Sequence, residues 1–79
     1  MELNRAFGVV LREERKKVAI SQEELAHQSD LDRTYISLLE RGKRNSTLKV
    51  LFSLCDALNI SPSDFVKEME KYIKSNLDQ

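Results

Sequence analysis

Residues 21–42 have the sequence SQEELAHQSDLDRTYISLLERG, which is typical of two short helices joined by a tight turn. Ser21 and Glu24 have the spacing of a capping box, in which the hydroxyl would accept the Glu24 amide while the carboxylate would return to the serine N–H. Asp32 is a suitable N-cap for the second helix, and Gly42 can adopt the left-handed conformation that ends it. The segment therefore marks where both helices begin and where the second one ends.

The apolar residues of this segment are spaced so that both helices bury one face against a common core: Leu25, Ala26, Leu31, Ile36 and Leu39. Ala26 is small enough to let two helices cross closely at a steep angle. The same spacing leaves Arg33, Thr34, Ser37 and Arg41 outside. This arrangement predicts a helix-turn-helix, a motif whose second helix enters the major groove of DNA.

Three further helices are predicted around this pair. The first covers residues 3–17, and its buried stripe consists of Leu3, Phe7, Val10, Leu11 and Val18. The helix-turn-helix pair covers 22–28 and 33–41. The fourth helix ends at Asn59, and its apolar line consists of Leu48, Leu51, Leu54, Cys55 and Leu58. Ser61 and Pro62 begin a fifth helix over about 62–75. We expect an all-α, five-helix single domain spanning residues 1–79.

Composition limits the class of protein. The chain has 79 residues, of which 41% are hydrophobic and 33% charged, and its net charge is zero. A domain of this size buries only about 60% of its unfolded surface, so dimerisation would stabilise it. The apolar run at the N-terminus is too short for a signal peptide, no stretch approaches a membrane span, and the single Cys55 excludes an intramolecular disulfide. A cytoplasmic location is expected.

The fifth helix has more apolar residues than one narrow stripe needs: Phe65, Val66, Met69, Tyr72, Ile73 and Leu77. We predict that the surplus, centred on Phe65, Met69 and Ile73, forms a two-fold homodimer interface. The alternative is that all of these residues belong to the core of the monomer.

The start of the second helix of the pair supplies side chains suited to base edges. Arg33 can bind guanine O6 and N7 with two hydrogen bonds, and Thr34 can offer a methyl group to thymine or a hydroxyl to a base or phosphate. Tyr35 can pack on a thymine methyl or reach a phosphate, and Ser37 lies one turn after Arg33. These four residues are the predicted base contacts.

A second set of polar residues is suited to the phosphate backbone: Gln22, Lys43, Arg44, Asn45, Ser46 and Thr47. The zero net charge argues against a nucleic-acid partner, since such domains are usually basic on one face. The basic residues Arg33, Arg41, Lys43 and Arg44 nevertheless cluster around the second helix of the pair. A merely solvated loop is the alternative for Lys43, Arg44 and their neighbours, and their proximity to the predicted recognition helix favours DNA contact.

Arg15 and Glu40 lie close to otherwise apolar faces, where an unpaired charge is expensive to bury. We predict that they form a structural ion pair between the first and third helices.

The order of these elements, with Arg15, Gln22, Leu25-Ala26, Ile36, Leu39-Glu40 and Gly42, resembles the lambda-repressor-like helix-turn-helix family across about residues 4–66. Residues 31–37, Glu40-Arg41 and Arg44-Asn45 resemble most closely the controller proteins of restriction-modification systems. That resemblance implies DNA contacts at Arg33, Thr34, Tyr35 and Arg44, dimerisation through the last two helices, and both activation and repression of an operon. The sequence departs from the family at Ser29 and Asp30, where an apolar residue and a glycine are usual.

Other functions are weaker hypotheses. One histidine and one cysteine give no catalytic or metal-binding constellation, so an enzyme is not expected, nor a cofactor or small-molecule ligand. A helical protein-interaction adaptor would not need the polar groups at Arg33, Thr34 and Tyr35. We expect a sequence-specific transcriptional regulator whose dimer binds a nearly palindromic operator, with recognition helices about 34 Å apart. A phage-type repressor or an antitoxin-type autoregulator is the alternative, and activation would require RNA polymerase as a further partner.

Overall fold

The computed structural model describes residues 2–77, which form five α-helices and contain no strand: α1 Leu3–Lys17, α2 Gln22–Ser29, α3 Arg33–Glu40, α4 Leu48–Leu58 and α5 Pro62–Leu77. The predicted all-α, five-helix architecture is confirmed, and no helix end differs from its predicted position by more than two residues. Within the described part of the chain, no helix is long and apolar enough to cross a bilayer.

Side-chain caps fix the starts of α2 and α3. Ser21 Oγ accepts the Glu24 N–H at 3.0 Å, and the Asp32 carboxylate accepts the Thr34 N–H at 2.8 Å. Glu24 does not complete the predicted capping box, since its carboxylate accepts the side-chain amide of Gln28 at 3.0 Å instead. One strong cap on each helix is enough to set where the chain enters both elements.

Left-handed residues end four of the helices and turn the chain toward the next one. They are Ala19 with φ 58°, Asp30 with φ 57°, Gly42 with φ 71° and Asn59 with φ 59°. Asp30 replaces the usual glycine of the helix-turn-helix turn and adopts the conformation that glycine would have, which Asp and Asn tolerate better than most residues. Ala19 has no such compensation, so it is the strained member of the set.

One core lies between the helices, because α1 packs on α3 and α5, α2 on α3 and α4, and α4 on α5. At its centre the rings of Phe7 and Phe65 lie 5.0 Å apart. Leu3, Val18 and Leu48, which were expected to be buried, are 54%, 43% and 75% exposed. Each stands at the end of a helix, beyond the stretch that neighbouring helices cover.

Gly8 sets the distance between α1 and α3. A Cβ atom at this position would lie 2.4 Å from the Leu39 carbonyl oxygen and 2.6 Å from that of Glu40. The backbones of α1 and α3 can therefore approach only because residue 8 has no side chain. This contact holds the end of α3 against α1 and so fixes the tilt of the helix whose start faces outward.

Candidate nucleic-acid interface

The exposed start of α3 is the first component of the site. Arg33 and Thr34 are exposed, and the Arg33 side chain retains 65% of its accessible surface. Its Nη1 lies 3.8 Å from Glu23 Oε2, and that carboxylate is itself 80% exposed. A solvated pair of this kind is weak, so the guanidinium can leave it for another partner.

Tyr35 is half-buried and packs against the core, so it projects outward less than expected from the sequence. Its hydroxyl donates to the Asn45 carbonyl at 3.0 Å, and the Arg44 guanidinium lies 5.5 Å from the centre of its ring. Tyr35 therefore connects α3 to the loop before α4. Its hydroxyl hydrogen is used in this bond, so the hydroxyl oxygen remains as an acceptor.

The loop over residues 43–47 continues the same face. Lys43, Arg44 and Asn45 are exposed. The Ser46 hydroxyl donates to the Thr47 carbonyl at 2.9 Å, and Thr47 Oγ1 accepts the Val50 N–H at 3.1 Å, which caps α4. Thr47 therefore stabilises the start of α4, and its hydroxyl hydrogen remains available as a donor.

Exposed cations stand at both ends of α3. Arg33 is at its start, while Arg41 and Lys43 follow its end. Arg41 is held back along the helix, since its Nε donates to the Ser37 carbonyl at 3.4 Å. Ser37 itself is half-buried, which leaves it a smaller surface for a base contact than Arg33 or Thr34.

Arg15 and Glu40 form the ion pair expected from the sequence. Arg15 Nε donates to Glu40 Oε2 at 2.7 Å and Nη2 donates to Oε1 at 3.1 Å, while Nη1 donates to the Ile20 carbonyl at 2.9 Å. The hydrogen bond to Glu40 raises the pKa of Arg15 above its ordinary value, although partial burial acts in the opposite direction. Gln22 belongs to the same cluster, because its Nε2 donates to Glu40 Oε1 at 3.0 Å.

The predicted dimer surface needs a correction. Phe65 is fully buried in the monomer against Phe7, so it is unavailable to a second subunit. Helix periodicity alone could not show this, because the partner of Phe65 comes from α1. Met69 and Ile73 are half-buried and remain partly accessible.

Sequence analysis missed a more exposed apolar surface. It consists of Leu3, Leu48, Phe52 and Val66, which are 54%, 75%, 58% and 41% exposed, and it is called the apolar surface below. Leu3, Leu48 and Val66 line, together with Met69, a groove of about 380 Å³, and Phe52 lies one turn from Leu48 on α4. The available signal was the i, i+4 spacing of Leu48 and Phe52, because Phe52 falls outside the buried stripe of α4.

The single cysteine and the single histidine do not form a catalytic or metal-binding site in the described residues. Cys55 is fully buried, and burial raises the pKa of its thiol to about 11. His27 is exposed. Among residues 2–77 no three His, Cys, Asp or Glu side chains are grouped so that they could hold a metal ion.

A capped helix whose polar start is exposed, preceded by a short helix and a left-handed turn, defines a helix-turn-helix DNA-binding domain. The family model for the helix-turn-helix matches residues 11–65, and the chain belongs to this family of DNA-binding transcriptional regulators.

Individual relatives indicate narrower groups of regulators than the family match does. The control protein C.MunI of Mycoplasma sp is 46% identical over 66 residues, which are 82% of this chain and 89% of that protein. The restriction-modification controller protein C.AhdI of Aeromonas hydrophila has a solved structure that is 44% identical, with a TM-score of 0.76 over 78% of this chain and 94% of its own. The clp gene regulator ClgR of Corynebacterium glutamicum is 32% identical, with a TM-score of 0.94 over 98% of this chain and 82% of its own.

Proposed function

We propose that this protein is the controller of a restriction-modification operon and that it binds a nearly palindromic operator as a dimer in the cytoplasm. The observation that carries the proposal is the exposure of Arg33 and Thr34 at the capped start of α3. The likeness to C.MunI at 46% identity and to C.AhdI at 44% identity supports the choice of operon.

In this proposal α3 enters the major groove, and four of its side chains contact bases. Arg33 binds guanine with two hydrogen bonds, and Thr34 contacts a thymine methyl group or a neighbouring oxygen. Tyr35 offers its hydroxyl oxygen and one ring edge, and Ser37 is a minor contact at the next turn. Half-burial of Tyr35 and Ser37 supports giving them the smaller share of the discrimination.

Phosphates on either side of the groove are held by the second set of residues: Gln22, Lys43, Arg44, Asn45, Ser46 and Thr47. Gln22 stands at the start of α2, and the others occupy the loop that Tyr35 ties to α3. These contacts would fix the register of the domain on the duplex without reading sequence, and α3 would read the bases.

Dimerisation is proposed through the apolar surface, with Met69 and Ile73 at its edge and without Phe65. The groove beside it is also lined by Asn45, Ser46 and Thr47, so the two subunits would meet next to the phosphate-binding loop. A dimer built there would fix the spacing of two copies of α3, which a palindromic operator requires. Activation would add a contact with RNA polymerase, and repression would follow from occupation of the promoter.

Selection of bound duplexes from a random pool tests the DNA-binding proposal. We expect an inverted repeat whose half-sites are one helical turn apart. In the genome, this repeat should lie next to genes for an endonuclease and a methyltransferase. Selected sequences without dyad symmetry would contradict the dimeric operator.

The dimer has its own test by sedimentation. Phe52→Lys places a charge in the apolar surface and should give folded monomers, whereas Val18→Lys, which alters an apolar side chain 43% exposed outside that surface, should leave the dimer intact. Equal sedimentation of both variants would remove the interface from this position.

The structural likeness to ClgR over 98% of the chain favours a second candidate, a regulator of genes outside a restriction-modification locus. The same selection separates the two, because the operator would then lie upstream of other genes.

A further inference from the structure

The side chain of Gln22, at the start of α2, is hydrogen-bonded to the buried carboxylate of Glu40 at the end of α3. Its Nε2 donates to Glu40 Oε1 at 3.0 Å, and the Glu40 side chain is only 4% exposed. The same carboxylate receives two hydrogen bonds from Arg15, so α1, the start of α2 and the end of α3 meet at one group.

We propose that Glu40 is a positioning residue for DNA binding, which orients the Gln22 side-chain amide so that it presents an N–H to a phosphate oxygen. The proposal rests on the proposed phosphate contact of Gln22.

The chemistry of the partners favours this role. An ionised carboxylate only accepts hydrogen bonds, so the side of the Gln22 amide that faces Glu40 must be its NH₂ group. One of the two amide hydrogens is used in this bond, and the second stays on the same nitrogen as a donor. A glutamine that could rotate freely would present its carbonyl oxygen to DNA for part of the time, and that oxygen repels a phosphate.

The charge balance is consistent with the same role. A buried carboxylate close to a phosphate-binding amide would oppose DNA if it were unpaired. Arg15, whose side chain is 13% exposed, neutralises it with two hydrogen bonds, one to Oε2 and one to the same Oε1 that accepts from Gln22. The cluster can therefore hold the amide in place without adding net negative charge to the DNA-facing surface.

A double-mutant cycle on DNA affinity tests the proposal. Backbone contacts do not depend on sequence, so a mixed-sequence 20-bp duplex at low salt is a sufficient probe. We expect Gln22→Ala to weaken binding by about tenfold, the order of one hydrogen bond to a charged group. Glu40→Gln should weaken binding several-fold in the wild-type background and have no further effect in the Gln22→Ala background.

Stability is separated from positioning by a matched control. Leu58→Val shortens a buried side chain of α4 that is 3% exposed, and it should lower the midpoint of urea unfolding while leaving the affinity of the folded protein unchanged. If Glu40→Gln does not fold, Glu40→Asp keeps the charge but withdraws the carboxylate from Gln22 by one methylene group.

The outcomes are distinguishable. An effect of Glu40→Gln that is equally large with and without Gln22 would overturn the positioning role, as would no effect in the wild-type background. Unchanged affinity of Gln22→Ala would instead remove the phosphate contact itself, and a wild-type protein that binds no duplex would remove the proposed function. In the wild-type protein, the NMR signals of the Gln22 Nε2 hydrogens should be displaced from the positions of a free glutamine amide, and the hydrogen bonded to Glu40 should exchange slowly with water; free-amide positions with fast exchange would contradict an oriented side chain.

Discussion

Gly8→Ala should destabilise the protein, although the same change in an unconstrained helix stabilises it. Alanine is favoured over glycine in a helix interior by about 1 kcal/mol. The new Cβ would lie 2.4 Å from the Leu39 carbonyl oxygen and 2.6 Å from that of Glu40. Both obstacles are backbone atoms of α3, so no side-chain rotation can relieve them.

The magnitude follows from the overlap. An ordinary contact requires that α1 and α3 separate by close to 1 Å, and overpacking of this kind costs about 1–3 kcal/mol, or more where backbone must move. Because both obstacles are backbone atoms, we take the upper end of that range, about 3 kcal/mol. Subtracting the gain in helix propensity of about 1 kcal/mol leaves a net loss of about 2 kcal/mol, which corresponds to roughly 10 °C in the melting temperature of a domain this small. The displaced α3 would also draw Glu40 away from Arg15.

Urea unfolding followed by circular dichroism measures this, at one protein concentration because the proposed dimerisation would make stability depend on concentration. Gly42→Ala is the matched control: it forces alanine into φ 71° and should cost about 1 kcal/mol for a different reason. A midpoint for Gly8→Ala equal to or above that of the wild type would refute the argument that residue 8 sets the distance between the helices.

Three further predictions concern the helix ends, the bases and the thiol. Ala19→Gly should raise the free energy of unfolding by about 0.5–1 kcal/mol, because Ala19 has φ 58°, whereas Asn59→Gly should change it less; equal gains in thermal melts would contradict this. Arg33→Ala should cost about 1–3 kcal/mol of binding and relax preference at one base pair, while Arg44→Ala should weaken all duplexes and reduce the salt slope of log affinity by about 0.9. Uniform loss from Arg33→Ala in competition assays would argue against base contact. Burial raises the pKa of Cys55 to about 11, so the folded thiol keeps its proton to a higher pH than the unfolded one. The free energy of unfolding should therefore fall as the pH rises from the ordinary thiol pKa to about 11. In urea titrations at several pH values, Cys55→Ala should lack this component.

Local chemistry made the helix pair predictable. Ser21, Asp32 and Gly42 each act on backbone groups within a few residues, and the structure has their bonds and conformations where the sequence indicates them. The ion pair of Arg15 with Glu40 could also be anticipated, since two opposite charges on apolar faces have few other ways to be satisfied.

Burial at longer range was harder to predict. Phe65 and Val66 are adjacent and both apolar, yet Phe65 packs on Phe7 while Val66 is 41% exposed. Their different fates depend on the angle between α1 and α5, which no local pattern encodes. The half-burial of Tyr35 has a similar cause, because the hydrogen bond of its hydroxyl to Asn45 depends on how the loop closes over α3.

The two ends of α3 are under different constraints. At its C-terminal end, the Leu39 and Glu40 carbonyls lie close to the Gly8 Cα, where a larger residue would not fit. The Glu40 side chain is hydrogen-bonded to Arg15 and Gln22. At its start, Arg33 and Thr34 are exposed. Substitutions at such exposed positions usually change stability by less than about 0.5 kcal/mol. In the proposed complex, the bases recognised can therefore change through the start of α3 while its end keeps the helix in the same orientation, so DNA preference and folding would vary independently within one short helix.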